Sequence, residues 1–225
     1  MLRRSLFSAT FLLATFLLAA GLLLPASAAQ AASISFDLDY EFSGATDPAG
    51  PGPWMTVTFD DAFGGANTVR LTISNGGLIG DESVGQIYLN FDPALNAALL
   101  SFAAVDNSAS VPNAILKGTD AFMADGDGFF DILFDMPPAP GTPGPRFTAG
   151  ESIVYDLTYT SAISASSFDY FSVMGGGAGS YQAAAHVQSI GVGEDSGWIG
   201  PVPEPSTGML LGLGLLLAVR RRARS

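Results

Sequence analysis

An all-β fold, an antiparallel β-sandwich of jelly-roll type, is what the sequence predicts for its central part, and three observations predict it. Apolar and polar residues alternate in short blocks, cleanly so in Ile34-Ser35-Phe36-Asp37-Leu38 and Val154-Tyr155-Asp156-Leu157-Thr158-Tyr159, the pattern of strands with one buried and one wet face. The blocks are punctuated by Gly, Pro, Asn and Asp. Segments 47–53 and 137–145 are so rich in proline that they cannot continue a ladder, because proline lacks the N–H donor and fixes its own φ; they are surface loops.

In chain order the strands fall at 34–42, 54–60, 68–74, 85–91, 99–105, 129–134, 153–160 and 181–190. Each is an apolar or alternating run bounded by turn residues. Eight such strands suggest two packed antiparallel sheets. Short helical turns are predicted at 93–99 and at 162–171, where Phe168 and Phe171 stand three apart, and would serve as lids. One domain, 33–200, is the economical division, long enough to bury a core.

The two ends read as processing signals. Arg3 and Arg4 precede an apolar run from Leu6 to Leu24, and Ala26-Ser27-Ala28 or Ala29-Gln30-Ala31 supplies the small residues that signal peptidase requires. Segment 1–32 is therefore expected to be a secretory signal peptide, with an uncleaved anchor as the alternative; Pro25 and the alanines favour cleavage. At the other end Pro203, Glu204 and Pro205 lead into an apolar run, 208–219, and then the basic cluster Arg220, Arg221, Arg222 and Arg224. The run is shorter than the roughly 20 residues that cross a bilayer, which suits a membrane helix held only until it is cut. The arginines would hold its far end on the cytoplasmic side.

Segment 201–225 resembles the PEP-CTERM sorting signal of exported bacterial proteins, with the Pro-Glu-Pro tripeptide, the apolar helix and the arginine cluster all present. The resemblance implies a chain that is the substrate of exosortase, a membrane-embedded cysteine transpeptidase. It further implies export through the inner membrane, only transient membrane association, and a processed protein at the cell surface or outside a Gram-negative cell.

With six arginines assigned to the two signals, the basic residues left for the domain are Arg70, Lys117 and Arg146, against nearly all the acids of a chain of net charge −12. Such a field argues against binding nucleic acid or anionic lipid, which need clustered Lys and Arg. It suits cations, neutral glycans or plain solubility. Cysteine is absent, so neither a disulfide, a thiolate nucleophile nor a thiolate metal site is available.

The best chemical cluster is Asp125-Gly126-Asp127-Gly128-Phe129-Phe130-Asp131. Carboxylates two apart, a glycine and a further carboxylate offer the hard oxygen ligands calcium needs, so Asp125, Asp127 and Asp131 are the candidate metal ligands. The match to a calcium loop is partial, because Met123 would occupy the first ligand position and Phe134 the twelfth. A tight Asp-Gly turn leading into strand 129–134 explains the same residues. The adjacent acids at 60–61, 81–82 and 194–195 read as solvated surface.

His186 is the sole histidine, and no G-x-S-x-G elbow accompanies it, so a strand histidine hydrogen-bonded within the sandwich is expected in place of a catalytic one. The glycines of 175–179 lack a following Lys-Ser/Thr and read as a flexible turn, not a phosphate cradle. Trp54, Trp198, Tyr88, Tyr155, Tyr159, Tyr170 and Tyr181 could stack on sugar rings, with core packing expected for most. Trp198, in Gly197-Trp198-Ile199-Gly200, draws most attention because it lies beside the sorting signal. Segments 84–91, 124–134, 186–188 and 196–200 are similar to stretches of uncharacterised exported domains bearing the same tail, a class with no activity to carry over.

The expectation is thus an exported, non-enzymatic surface or matrix protein sorted by exosortase, with signal peptidase as its other processing partner. Its role would be structural or adhesive, in association with exopolysaccharide in a biofilm matrix. The alternatives are a calcium-dependent carbohydrate-binding module and, behind it, a secreted hydrolase using a pair of carboxylates.

Overall fold

The computed structural model describes residues 32–65, 67–137, 145–177 and 179–202. The expected signal peptide, the Pro-Glu-Pro tripeptide, the apolar run, the arginine cluster and most of the second proline-rich loop lie outside the described residues. Among the described residues no helix is long and apolar enough to cross a membrane.

The strands are β1 Ser33–Leu38, β2 Tyr40–Glu41, β3 Met55–Asp60, β4 Thr68–Ser74, β5 Ser83–Leu89, β6 Ser101–Asp106, β7 Ala114–Met123, β8 Phe129–Asp135, β9 Phe147–Thr148, β10 Ser152–Thr158, β11 Ala183–Ile190 and β12 Asp195–Gly200. They build two sheets, β1-β3-β4-β10-β6 and β2-β12-β11-β5-β8-β7 with β9 added against β5, and every pairing is antiparallel. The expected all-β class with two antiparallel sheets is therefore observed. The predicted strand 34–42 breaks at Asp39, where the chain leaves the first sheet, Leu38 facing Met55, and enters the second, Tyr40 facing Gly200.

The core lies between the sheets. Leu38, Val57, Phe59, Leu71, Ile73 and Leu157 from the first sheet pack in one cluster with Ile87, Leu89, Ile132, Phe134, Val187 and Ile199 from the second. Alternation sends these side chains inward and their neighbours outward. Phe168, on a short 3-10 turn at Ala165–Phe168, stacks on Phe59 with ring centroids 4.3 Å apart and closes one end. A second 3-10 turn, Ala97–Leu99, is capped by the Asn96 side chain, which accepts from the Ala98 N–H at 3.0 Å.

Strands β7, β9 and β12 fall outside the predicted set. The ladder of β7 on β8 slips between Lys117 and Phe122, where Asp120 takes φ of +48°, so its side chains keep no single period. β12 carries two glycines in six residues, a composition that weakens any strand signal. Strand β5 is buried almost throughout, not alternately, and the reason lies on the outer side of its sheet.

Candidate functional site on the outer face of the second sheet

In β5 and β8 the residues between core positions point away from the core, yet they are covered. Tyr88 and Leu133 join Ala124, Phe130, Tyr181 and Ala184 in a separate buried cluster, with Phe42, Phe122 and Trp198 packed against it. Pairing explains the layout: Ala184 faces Tyr88 and Tyr88 faces Leu133, while in the next row Trp198 faces His186 and His186 faces Gln86. An outward row of large side chains on a sheet is stabilised by cross-strand contact. His186 and Trp198 stack at 4.7 Å with 23° between their planes, and Tyr88 lies tilted against Trp198 at 5.5 Å and against Phe130 at 5.6 Å. The phenol of Tyr88 donates to Gln86 Oε1 at 3.0 Å.

His186 is therefore a strand residue, as expected, but it stands half-buried on the outer face against Trp198 instead of inside the sandwich. Burial pushes its pKa down, and Asp125 pulls it partly back. Trp54, by contrast, is a core residue whose Nε1 donates to Gly50 O at 2.7 Å.

Two loops wall this face. In the first, Glu41 at the end of β2 accepts from the N–H groups of Ser43 and Gly44, each at 2.9 Å, of Ala45 at 3.1 Å and of Trp198 at 3.2 Å. One carboxylate thereby folds the turn after β2 and pins the backbone of Trp198. In the second, segment 171–177 lies along the turn that precedes β8. Phe129 and Val173 exchange N–H···O bonds at 2.7 and 3.0 Å, Gly177 N–H donates to Gly126 O at 2.8 Å, and Asn90 Nδ2 ties both ends of the loop through the carbonyls of Tyr170, Tyr181 and Gln182. The glycines read as a flexible turn are a close backbone approach instead: a Cβ on Gly177 would fall on the Asp127 carboxylate.

The candidate calcium ligands divide. Asp125 and Asp127 share the turn before β8, Asp125 at φ of +46° and Gly126 and Gly128 at +80° and +94°, the geometry that the tight-turn reading asks of an Asp-Gly pair. Asp131 is committed elsewhere, accepting from the N–H groups of Phe91 and Asp120, both at 2.8 Å. Among the described residues no group of three or more His, Cys, Asp or Glu side chains is arranged to hold a metal ion. Asp127 is 8 % exposed, and its Oδ1 has no hydrogen-bond partner. Negative charge accumulates here: desolvation, Asp127 and Glu41 raise the pKa of Asp125, and burial with Tyr40, Asp127 and Glu41 pushes the Tyr181 phenol up to about 12.

Chemically, this face offers an indole stacked on an imidazole, with a phenol and an amide beside them, bordered by carboxylates. Glu41 and Gln86 are members that no sequence motif marks, since each acts through a strand pairing or a loop closed only in three dimensions. Beyond it, residues 201–223 match the PEP-CTERM protein-sorting motif. The chain carries a PEP-CTERM sorting signal. The PEP-CTERM signal makes this an exported protein sorted by exosortase and implies exosortase-mediated placement at the surface. No curated protein and no solved structure matches the chain. In this PEP-CTERM protein β12 ends at Gly200, so the strand bearing Trp198 runs directly into the sorting motif.

Proposed function

We propose that the chain is a structural or adhesive component of an extracellular matrix, and that it binds neutral exopolysaccharide through the outer face of the second sheet without turning it over. In this reading signal peptidase removes 1–32, the sandwich 33–200 is the exported part, and exosortase acts at the segment 201–225 that carries Pro203, Glu204 and Pro205. In this reading the two antiparallel sheets form a jelly-roll-like sandwich that serves as a platform.

The observation that carries the reading is the Trp198–His186 stack with Tyr88 beside it, on a face edged by Gln86, Glu41 and Asp125. Pyranose rings present C–H faces that pack on aromatics and hydroxyls that donate to carboxylates and amides. The acidic surface disfavours anionic polymers, which leaves neutral glycans as the matching class. Retention of the exported protein on its host's exopolysaccharide tests this. Wild type should be retained and Trp198→Ala released; equal retention of both, or none of either, overturns it. Sorting is tested separately, since Glu204→Ala should leave the protein unprocessed in the membrane fraction, and normal localisation of that variant would count against the exosortase step.

A further inference from the structure

The sorting motif starts one residue after β12, so the end of the second sheet where β12 stops is the end tied to the tail. Pairing places the C-terminal ends of β12 and β7 there, together with the N-terminal ends of β11 and β8. Gly200 lies against Tyr181, since a Cβ on it would come within 3.2 Å of the ring. The Tyr181 carbonyl accepts from Ser172 N–H at 2.9 Å, so the exit of the chain adjoins segment 171–174. That segment exposes Phe171, Val173 and Met174, the last with 71 % of its surface in water. Val173 faces Phe129 across a bridge, and Phe129 faces Met123, which is exposed as well. On the exit side Tyr40, opposite Gly200, and Val202 are also exposed. Apolar side chains scattered singly over a surface are ordinary, whereas six gathered around one end of one sheet mark an interaction surface.

We propose that this apolar rim rests on the interface of the lipid bilayer that holds the sorting segment, seating the domain on the membrane until the tail is cut. The inference rests on the reading of 208–219 as a membrane-seeking run and is independent of glycan binding. Only residues 201–207 separate Gly200 from that run, and seven residues reach at most about 25 Å. A tether so short keeps the rim beside the bilayer at an effective concentration on the order of millimolar, so a contact too weak to recruit a free protein is enough. Aromatic, methionine and valine side chains gain by leaving water for the headgroup boundary. Charge selects the lipid. Asp125 and Asp169, both exposed, stand two residues from Met123 and Phe171. The three cations of the described residues are engaged with other partners, Arg70 with Asp156, Lys117 with Leu100 O and Arg146 with Ser83 and Ser189. The rim therefore suits headgroups without net charge and is repelled by anionic ones. Pro203, Glu204 and Pro205 lie within the tether, so a seated domain keeps them at the membrane surface.

The chain has no cysteine, so a single introduced thiol can carry a fluorescent probe. Full-length Met174→Cys, labelled with an environment-sensitive dye and reconstituted through its tail in phosphatidylcholine vesicles, should float with the lipid. Its probe should be quenched by nitroxide-bearing lipid and shift its emission to the blue. Val192→Cys is the control, because Val192 is exposed in the turn at the other end of β12, about 20 Å away along six residues of strand. Its probe should show neither effect. Adding Phe171→Asp to the Met174→Cys chain should lower the quenching, and so should exchange of phosphatidylcholine for phosphatidylglycerol, with recovery as salt screens the repulsion. A chain that does not float overturns the proposal at its tether. A floating chain whose Met174 probe is quenched no more than the Val192 probe overturns it at the rim, and assigns that surface to a protein partner such as the sorting enzyme.

Discussion

On the outer face of the first sheet Ser35, Thr58 and Thr72 fall in one row across three strands, and on the outer face of the second Trp198, His186 and Gln86 do the same. The two sheets share one core and one antiparallel construction, so their strands face the same requirement on the inner side. They differ in what alternation turns outward. The first sheet exposes hydroxyls, Asp37, and the Arg70–Asp156 pair to water, the ordinary finish of a half-buried sheet. The second sheet packs a further aromatic cluster on its outer side, and two loops wall it. An all-β domain needs only one core; the additional cluster, together with its uncompensated acids, is where the fold departs from the minimum for stability. Such departures concentrate at sites of function.

The strongest way to break this contrast is to delete the outer cluster. Phe130 has no exposed surface and packs on Tyr88. Phe130→Ala should destabilise the full chain by about 3–5 kcal/mol in denaturant unfolding, as a core truncation would, although the residue belongs to the outer cluster. A loss below about 1 kcal/mol would mean that the outer cluster is a surface ornament.

A smaller effect is expected at the covering loop. Alanine at Gly177 would press its Cβ into the Asp127 carboxylate, whereas alanine at Gly76, beyond the end of β4, would meet only Ser74 Oγ at 3.7 Å, an ordinary contact. Gly177→Ala should cost about 1–3 kcal/mol and raise hydrogen exchange at the bonded pair Gly177 N–H and Gly126 O, with Gly76→Ala close to neutral. Equal effects would show that the loop does not press on the turn.

His186 should add a pH signature that the first sheet lacks. Its folded-state pKa lies below the ordinary 6.5, so the unfolded chain takes up the proton more readily. The stability it contributes is full above about pH 6.5, falls as pH drops through that value, and levels off below the depressed folded pKa. Asp125 and Asp131, whose pKa values are raised, slope the opposite way at lower pH, where folded protein holds their protons more tightly. His186→Gln should remove the upper slope and leave the lower one, and the protonation-linked quenching of Trp198 fluorescence should vanish with it. An unchanged slope in the variant would remove His186 from the account.

Much of this architecture was legible because period and punctuation are local properties. Thr68–Ser74 and Phe129–Asp135 fall within a residue of their predicted bounds, and both helical turns form where expected, as 3-10 turns. The strand expected at 85–91 is observed as Ser83–Leu89, and its nearly continuous burial has a reason the sequence did not show: β5 is covered on both faces. What stayed hidden depends on partners distant in sequence. Nothing around Glu41 announces that it holds Trp198, which lies 157 positions away. The Asp-Gly run suggested three ligands at one point, but a strand that begins at Phe129 carries Asp131 to the amides of Phe91 and Asp120. The glycines near 177 signalled freedom, and packing against Asp127 makes them a fitted contact.

The weakest expected effect belongs to the first sheet and completes the contrast. Thr72 sits half-buried at the middle of β4, with Thr58 on one side and Val154 on the other. Replacing it with valine keeps the branched shape that a strand favours and exchanges one hydroxyl for a methyl on a wet face. Thr72→Val should shift stability by no more than about 0.5 kcal/mol and leave retention on exopolysaccharide untouched. If it instead released the glycan, the hydroxyl rows of the first sheet would be a second binding face, and the asymmetry between the two sheets would cease to locate function.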